Sequence, residues 1–145
     1  MPLKGCILKY LYPKPEMRVM GDVDILIKET QKEKIQSVLN DLNYTDIKEN
    51  EYEIIWKKNG FYLELHKHLI PPRTKDYYEY FDNGWKFAKK SADGNYRYEM
   101  SKEDTFVYIF SHFAKHYRDS GIGIKHIVDF WLYNNAYPEL DKVYL

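Results

Sequence analysis

The chain has 145 residues, with 22 Lys plus Arg against 22 Asp plus Glu, so its formal charge at neutral pH is zero. That length suits one ordinary domain, and the charge balance lacks the basic excess by which a general nucleic-acid binder grips phosphate, so any polyanion must be held locally and long nucleic acid is disfavoured as a partner. Apolar residues make up 44% of the chain and aromatic residues 17%, enough for a core, while Cys6 is the only cysteine, which excludes an intrachain disulfide or a cysteine-rich zinc module and points to a reducing compartment.

No apolar run approaches the roughly 20 residues of a membrane span, and Met1 to Tyr12 has no signal-peptide core. A soluble, cytoplasmic protein with no membrane partner is the expectation. Leu3 to Leu8 reads as a short element, stopped by Tyr12-Pro13-Lys14-Pro15, where two prolines fix φ and remove donors. Val23-Asp24-Ile25-Leu26-Ile27 is rich in β-branched residues and follows Gly21, which predicts a buried strand within Val19 to Lys28. Thr30 with Glu33 has capping-box spacing, and Ile35, Val38, Leu39 and Leu42 recur at helical intervals, predicting a helix from Gln31 to Leu42. Tyr52 to Lys58 and Phe61 to Leu69 flank Asn59-Gly60, a two-residue turn signal that predicts an antiparallel hairpin. Tyr77 to Trp85 reads as a loop with about one helical turn. Trp85 to Lys90 and Asn95 to Met100 bracket a second hairpin-like turn at Ser91-Ala92-Asp93-Gly94. Ser101 with Asp104 starts a helix to about Tyr117 whose inward face is Phe106, Val107, Ile109, Phe110 and Phe113. Gly121 and Gly123 break it, and a last helix runs from Ile124 to about Asn134 with Ile127, Val128, Trp131 and Leu132 on one face.

Asp22 and Asp24 stand two apart on the predicted strand, so they share a face with Cα atoms about 6 to 7 Å apart. Like charges so placed repel unless a cation offsets them, and Mg²⁺ does so through hard oxygen ligands. The plain alternative is a solvated strand end, and Asp-x-Asp recurs by chance. A third acid narrows the choice: in Tyr62-Leu63-Glu64-Leu65-His66, Leu63, Leu65 and Leu69 take one face while Glu64, His66 and His68 take the other. An acid within an apolar strand costs several kcal/mol unless partnered.

These residues resemble the uncharacterised nucleotidyltransferase-like family of the DNA polymerase β-type superfamily. The likeness runs through Leu3-Lys4-Gly5, then Leu11 to Ile27 with its Arg18, Gly21-Asp22-Val23-Asp24 and Ile25-Leu26-Ile27, and then Leu63-Glu64-Leu65-His66. The segments from Met100 to His116 and Gly123 to Asp129 are similar to the family's following helical region. The resemblance implies an α+β, polymerase β-like fold with a short mixed sheet flanked by helices. It implies a core over residues 1–100 and a C-terminal helical segment over 101–145 packed on it. It also implies transfer of a nucleoside monophosphate from an NTP to a hydroxyl-bearing acceptor, with two Mg²⁺ ions held by Asp22, Asp24 and Glu64. Lys4 and Arg18 would balance phosphate charge, Gly5 would let the backbone approach it, and Gly21 joins them as nucleotide-binding. Nothing in the residues selects ATP over the other NTPs or identifies the acceptor.

The chain departs from the wider superfamily in having Cys6 where Ser usually follows the glycine. It is also shorter than the family at both ends, so a fragment, a minimal version and a chain completed by a homo-oligomer or protein partner are all left open. Two other functions compete. His66 and His68 on one strand face, or His112 and His116 at i, i+4 on a helix, have spacing suited to Zn²⁺ and hence to a zinc-dependent hydrolase. A non-catalytic module that binds NTP or protein is the other, against which stands the intact triad of acids, a costly thing to keep without use.

Overall fold

A computed structural model describes the chain from Met1 to Tyr144, apart from Asp93, Asn95, Ser120 and Lys142. In chain order its elements are α1 (Gly5–Leu8), β1 (Asp22–Leu26), α2 (Lys32–Asp41), β2 (Thr45–Glu49), β3 (Glu53–Lys58), β4 (Phe61–His66), α3 (Lys75–Phe81), β5 (Lys89–Lys90), β6 (Tyr98–Glu99), α4 (Lys102–Asp119) and α5 (Ile124–Ala136). Contacts group them into two units, Met1–Leu3 with Met20–Lys86, and Lys4–Val19 with Phe87–Leu145. Among the described residues no helix is long and apolar enough to cross a membrane.

The first unit is a mixed four-stranded sheet in the order β1-β4-β3-β2. β1 runs parallel to β4, with Asp24 opposite Glu64, and β3 and β4 pair antiparallel, with Lys58 opposite Phe61 and Glu53 opposite His66. Asn59 and Gly60 take φ of 50° and 83°, the left-handed pair that a tight hairpin needs and that Asn-Gly supplies at low cost. Side-chain alternation then sorts the sheet. Ile27, Ile54, Trp56 and Leu65 pack with Leu39 of α2 into one core, joined by Ile25, Ile35, Tyr44 and Leu63, and the acids fall on the opposite face.

The stretch Leu3 to Leu8 is not one element: Leu3 donates to the Asp24 carbonyl at 3.0 Å and Pro2 bridges Ile25, whereas Gly5–Leu8 is helical after Lys4 adopts φ 42°. Thr30 caps nothing, because Glu29–Gln31 forms a 3₁₀ turn and α2 begins at Lys32. Val38 and Leu42 are half-exposed, since the helix presents only its Ile35 and Leu39 stripe to the sheet. The unpredicted β2 is exposed throughout and bulged between Asp46 and Lys48, a charged edge strand that gives no burial signal in sequence. Residues 75–81 form two turns of helix, burying Phe81.

Just after α3, Gly84 sits at φ +80°, and a Cβ there would stand 2.5 Å from Leu69 Cγ and 3.2 Å from Leu26 Cδ2. Gly84→Ala therefore meets both backbone strain and overpacking. It is expected to cost about 1–3 kcal/mol, read as a lower urea midpoint with an unchanged slope.

In the second unit Leu8, Ile109, Tyr133 and Leu140 form a core with Leu11, Phe106, Phe130 and Tyr137 around it. The predicted cap of α4 is present: Ser101 Oγ accepts from the Asp104 N–H at 3.0 Å and donates to Asp104 Oδ2 at 2.6 Å. The inward faces of α4 and α5 are rotated from expectation. Asp104, Thr105, Tyr108, Ile109 and Ser111 are buried on α4 while Phe110 is half-exposed, and α5 buries Asp129 and Tyr133 while Ile127 and Trp131 face outward. Burial of Asp129 is made tolerable by Arg18, a partner more than a hundred residues away in sequence that helical periodicity cannot register. The second hairpin pairs Lys89 with Glu99 and Lys90 with Tyr98; Asp93 and Asn95 of its predicted turn region lie outside the described residues.

Candidate active site on the polar face of the sheet

Register places Asp22, Asp24 and Leu26 of β1 on one face with Tyr62, Glu64 and His66 of β4, and with Glu53, Ile55 and Lys57 of β3. On that face Asp24, Glu64 and His66 each turn one potential ligand atom inward, all within 4.8 Å of one another. Asp24 and His66 are almost fully buried, their side chains 5% and 1% exposed, while Glu64 keeps 22%. Glu64 is thus the most exposed of the three. Asp22 lies one pleat before Asp24 on the same face and is exposed.

The imidazole of His66 organises the acids. Its Nε2–H donates to Asp24 Oδ1 at 2.7 Å, Glu64 Oε2 lies 3.7 Å from the same nitrogen, and Glu53 Oε2 lies 3.9 Å from Nδ1. One short hydrogen bond therefore ties the ring to Asp24, with the Glu64 and Glu53 carboxylates farther off around it. Tyr52 covers that ring edge-on at 4.8 Å and donates its hydroxyl to the Leu69 carbonyl at 3.2 Å. Its phenol is pushed well above the usual range, first by burial and then by the charges of Glu53, Asp24 and Glu64, so it stays neutral and remains a donor. Asn50 aims this segment: its Oδ1 accepts from the backbone N–H of Tyr52 and of Glu53 at 2.8 and 2.9 Å, an Asx turn that starts β3. Neither Tyr52 nor Glu53 was expected at the site. Counting back from the Asn59-Gly60 turn, which sets Lys58 opposite Phe61, would have placed Glu53 opposite His66.

The donor set fits a divalent metal. Asp24 and Glu64 offer hard carboxylate oxygens of the kind Mg²⁺ prefers, with Asp22 next along the strand. The imidazole is a donor better matched to transition metals. His68 stands apart from the group, its ring 5.2 Å from that of Tyr78. Gly21 precedes the acids in an exposed bend with open space where a Cβ would be. Lys4, Gly5 and Arg18 belong to the other unit, where Arg18 is buried in a bidentate pair with Asp129, Nε to Oδ1 at 2.8 Å and Nη2 to Oδ2 at 2.7 Å.

A mixed sheet carrying acids on parallel neighbouring strands is the arrangement of a nucleotidyltransferase fold, and a solved structure agrees. The antibiotic-resistance factor ANT(2'')-Ia, a nucleotidyltransferase, superposes with a TM-score of 0.64 over 93% of this chain and 72% of its own, at 13% identity. The chain belongs to the uncharacterised nucleotidyltransferase family, whose sequence model matches residues 1–145. Among curated proteins none matches it.

Proposed function

We propose that the chain is a Mg²⁺-dependent transferase that moves a nucleoside monophosphate from an NTP to a hydroxyl-bearing acceptor and releases pyrophosphate. Family membership supports nucleotidyl transfer in general, and the observation that carries the finer reading is the convergence of Asp24 and Glu64 from register-matched positions on one sheet face. Asp22 and Asp24 would hold the metal ions, and Glu64 would complete the set of carboxylate ligands. Bound ions supply neutralisation of phosphate charge and a lowered pKa for the acceptor hydroxyl. The acceptor hydroxyl gives up its proton to water, its oxygen bonds to the α-phosphorus, the bond from that phosphorus to the α,β-bridging oxygen breaks, and pyrophosphate departs in line. Tyr52 and His66 keep the acids dry on one side and fix the Asp24 carboxylate. Gly21 leaves room at the approach to Asp22, and Lys4, Gly5 and Arg18 carry a nucleotide-contact assignment by resemblance alone.

The test is pyrophosphate release from each of the four NTPs with Mg²⁺ against a panel of sugar, antibiotic, peptide and RNA-end acceptors. Release that needs one acceptor and stops with Glu64→Gln is the expected result. NTP binding that persists without release and is indifferent to Asp24→Asn supports a binding module instead. The imidazole in the donor set favours, as a second reading, a zinc-dependent hydrolase; stoichiometric zinc after chelator-free purification that disappears in His66→Ala would favour it.

A further inference from the structure

The helical unit gathers three histidines. His112 and His116 are one turn apart on α4, their Nε2 atoms 3.2 Å apart and their ring centroids 4.4 Å apart. His126, in the first turn of α5, brings a third ring to 5.5 Å from His116 and 6.2 Å from His112. The helical spacing of the first two is visible in sequence; the third arrives only through the packing of α5.

Two nitrogens bound to one tetrahedral zinc at roughly 2.0–2.1 Å stand about 3.3 Å apart, and imidazole centroids around such an ion stand about 5 Å apart. The pair already has the first spacing, and the three rings bracket the second. A hydrogen bond between two neutral imidazoles also gives the first distance, with the third ring, His126, stacked at 26° to the plane of His116. Other charges face the cluster: Lys4 and Lys115 from α1's cap and α4, Lys125 and Arg18 near His126, and the carboxylates Asp119 and Asp129 opposite them. Burial first, and then these cations, lower all three imidazoles below the usual histidine range, His112 well below it. The rings are therefore in the neutral form that ligates. The same ammonium groups repel a loosely held dication, which disfavours Mg²⁺ and Ca²⁺ and leaves ions that bond strongly to nitrogen.

We propose that His112, His116 and His126 form a binding site for a divalent transition metal of the zinc type, with water completing the tetrahedron, that fastens α4 to α5. His126 turns its ring about its side-chain torsions to bring a nitrogen to the Nε2 pair. The site shares no residue with the Asp24, Glu64 and His66 group.

Calorimetric titration of the full chain with zinc chloride tests it in the wild type, in His116→Gln and His126→Gln, and in Glu64→Gln. The two histidines are partly exposed, so their variants retain the core. One zinc per chain is expected, with affinity reduced at least tenfold by either histidine change and unaltered by Glu64→Gln. Wild-type affinity in His116→Gln, loss confined to Glu64→Gln, or no uptake by the wild type overturns the site. Imidazole ¹⁵N resonances of the unaltered protein give a second reading without any variant: shifts at His112, His116 and His126 on adding zinc support the proposal, and shifts at His66 alone refute it.

Discussion

Asp24→Asn is expected to lower pyrophosphate release by about 10³-fold or more while the protein stays folded. Asp24 is the best-defined acid on the polar face. Its backbone is fixed on both sides, by the β4 register opposite Glu64 and by Leu3 donating to its carbonyl, and its side chain is held by His66 Nε2 at 2.7 Å. Asn has the same volume, and its amide oxygen accepts the same N–H, so packing and the hydrogen bond survive while the charge is lost. A melting temperature within about 4 °C of wild type, together with the collapse of activity, would separate the electrostatic role from a structural one. A variant that keeps more than a tenth of wild-type release would show that Asp24 carries no metal.

Asp22 is exposed, so Asp22→Asn changes stability little and reports on charge alone. His66 is different, being buried against Asp24, Tyr52 and Glu53. Its loss strips a hydrogen bond from a buried carboxylate, so activity and stability should fall together there, and the Asp24→Asn result is the one that isolates chemistry.

Strand parity makes the acids legible in the sequence: Asp22 with Asp24, and Glu64 with His66, follow from a period of two. The Asn59-Gly60 turn carried the β3–β4 register as well. Parity could not reveal that β1 lies parallel to β4 with Asp24 opposite Glu64, because a parallel partner is chosen by a crossover through α2, β2 and β3 rather than by a local turn. The exposed β2 lacked the alternation that marks a half-buried strand. The two long helices misled for a related reason. Apolar spacing on α5 favours Ile127, Val128, Trp131 and Leu132, yet the packed face holds Asp129 and Tyr133, since a buried ion pair supplies what apolarity would otherwise provide. His126 joins the histidine pair through the same rotation of the helix.

That ion pair yields the largest stability effect expected in the molecule. Arg18 and Asp129 have side chains only 6% and 3% exposed and meet through two parallel hydrogen bonds, with Tyr12 donating a third to Asp129 Oδ1 at 2.8 Å. Burial, reinforced by Asp129, pushes the Tyr12 phenol up to about 12, so Tyr12 remains a donor throughout the range in which the protein would be studied. Asp129→Ala leaves a guanidinium buried without its carboxylate. The expected cost is about 3–5 kcal/mol, a large part of the roughly 5–15 kcal/mol that holds a domain together. It should appear as a lower denaturant midpoint with the slope preserved. Arg18→Lys keeps the charge but not the planar two-pronged geometry and should lose an intermediate amount. The paired change Arg18→Met with Asp129→Leu should recover most of the loss, because replacing both ions by packed apolar groups removes the desolvation cost along with the attraction. If Arg18 serves chiefly as a phosphate ligand, the pattern reverses: Asp129→Ala would leave stability near wild type, and the effect of Arg18→Lys would lie in the KM for NTP.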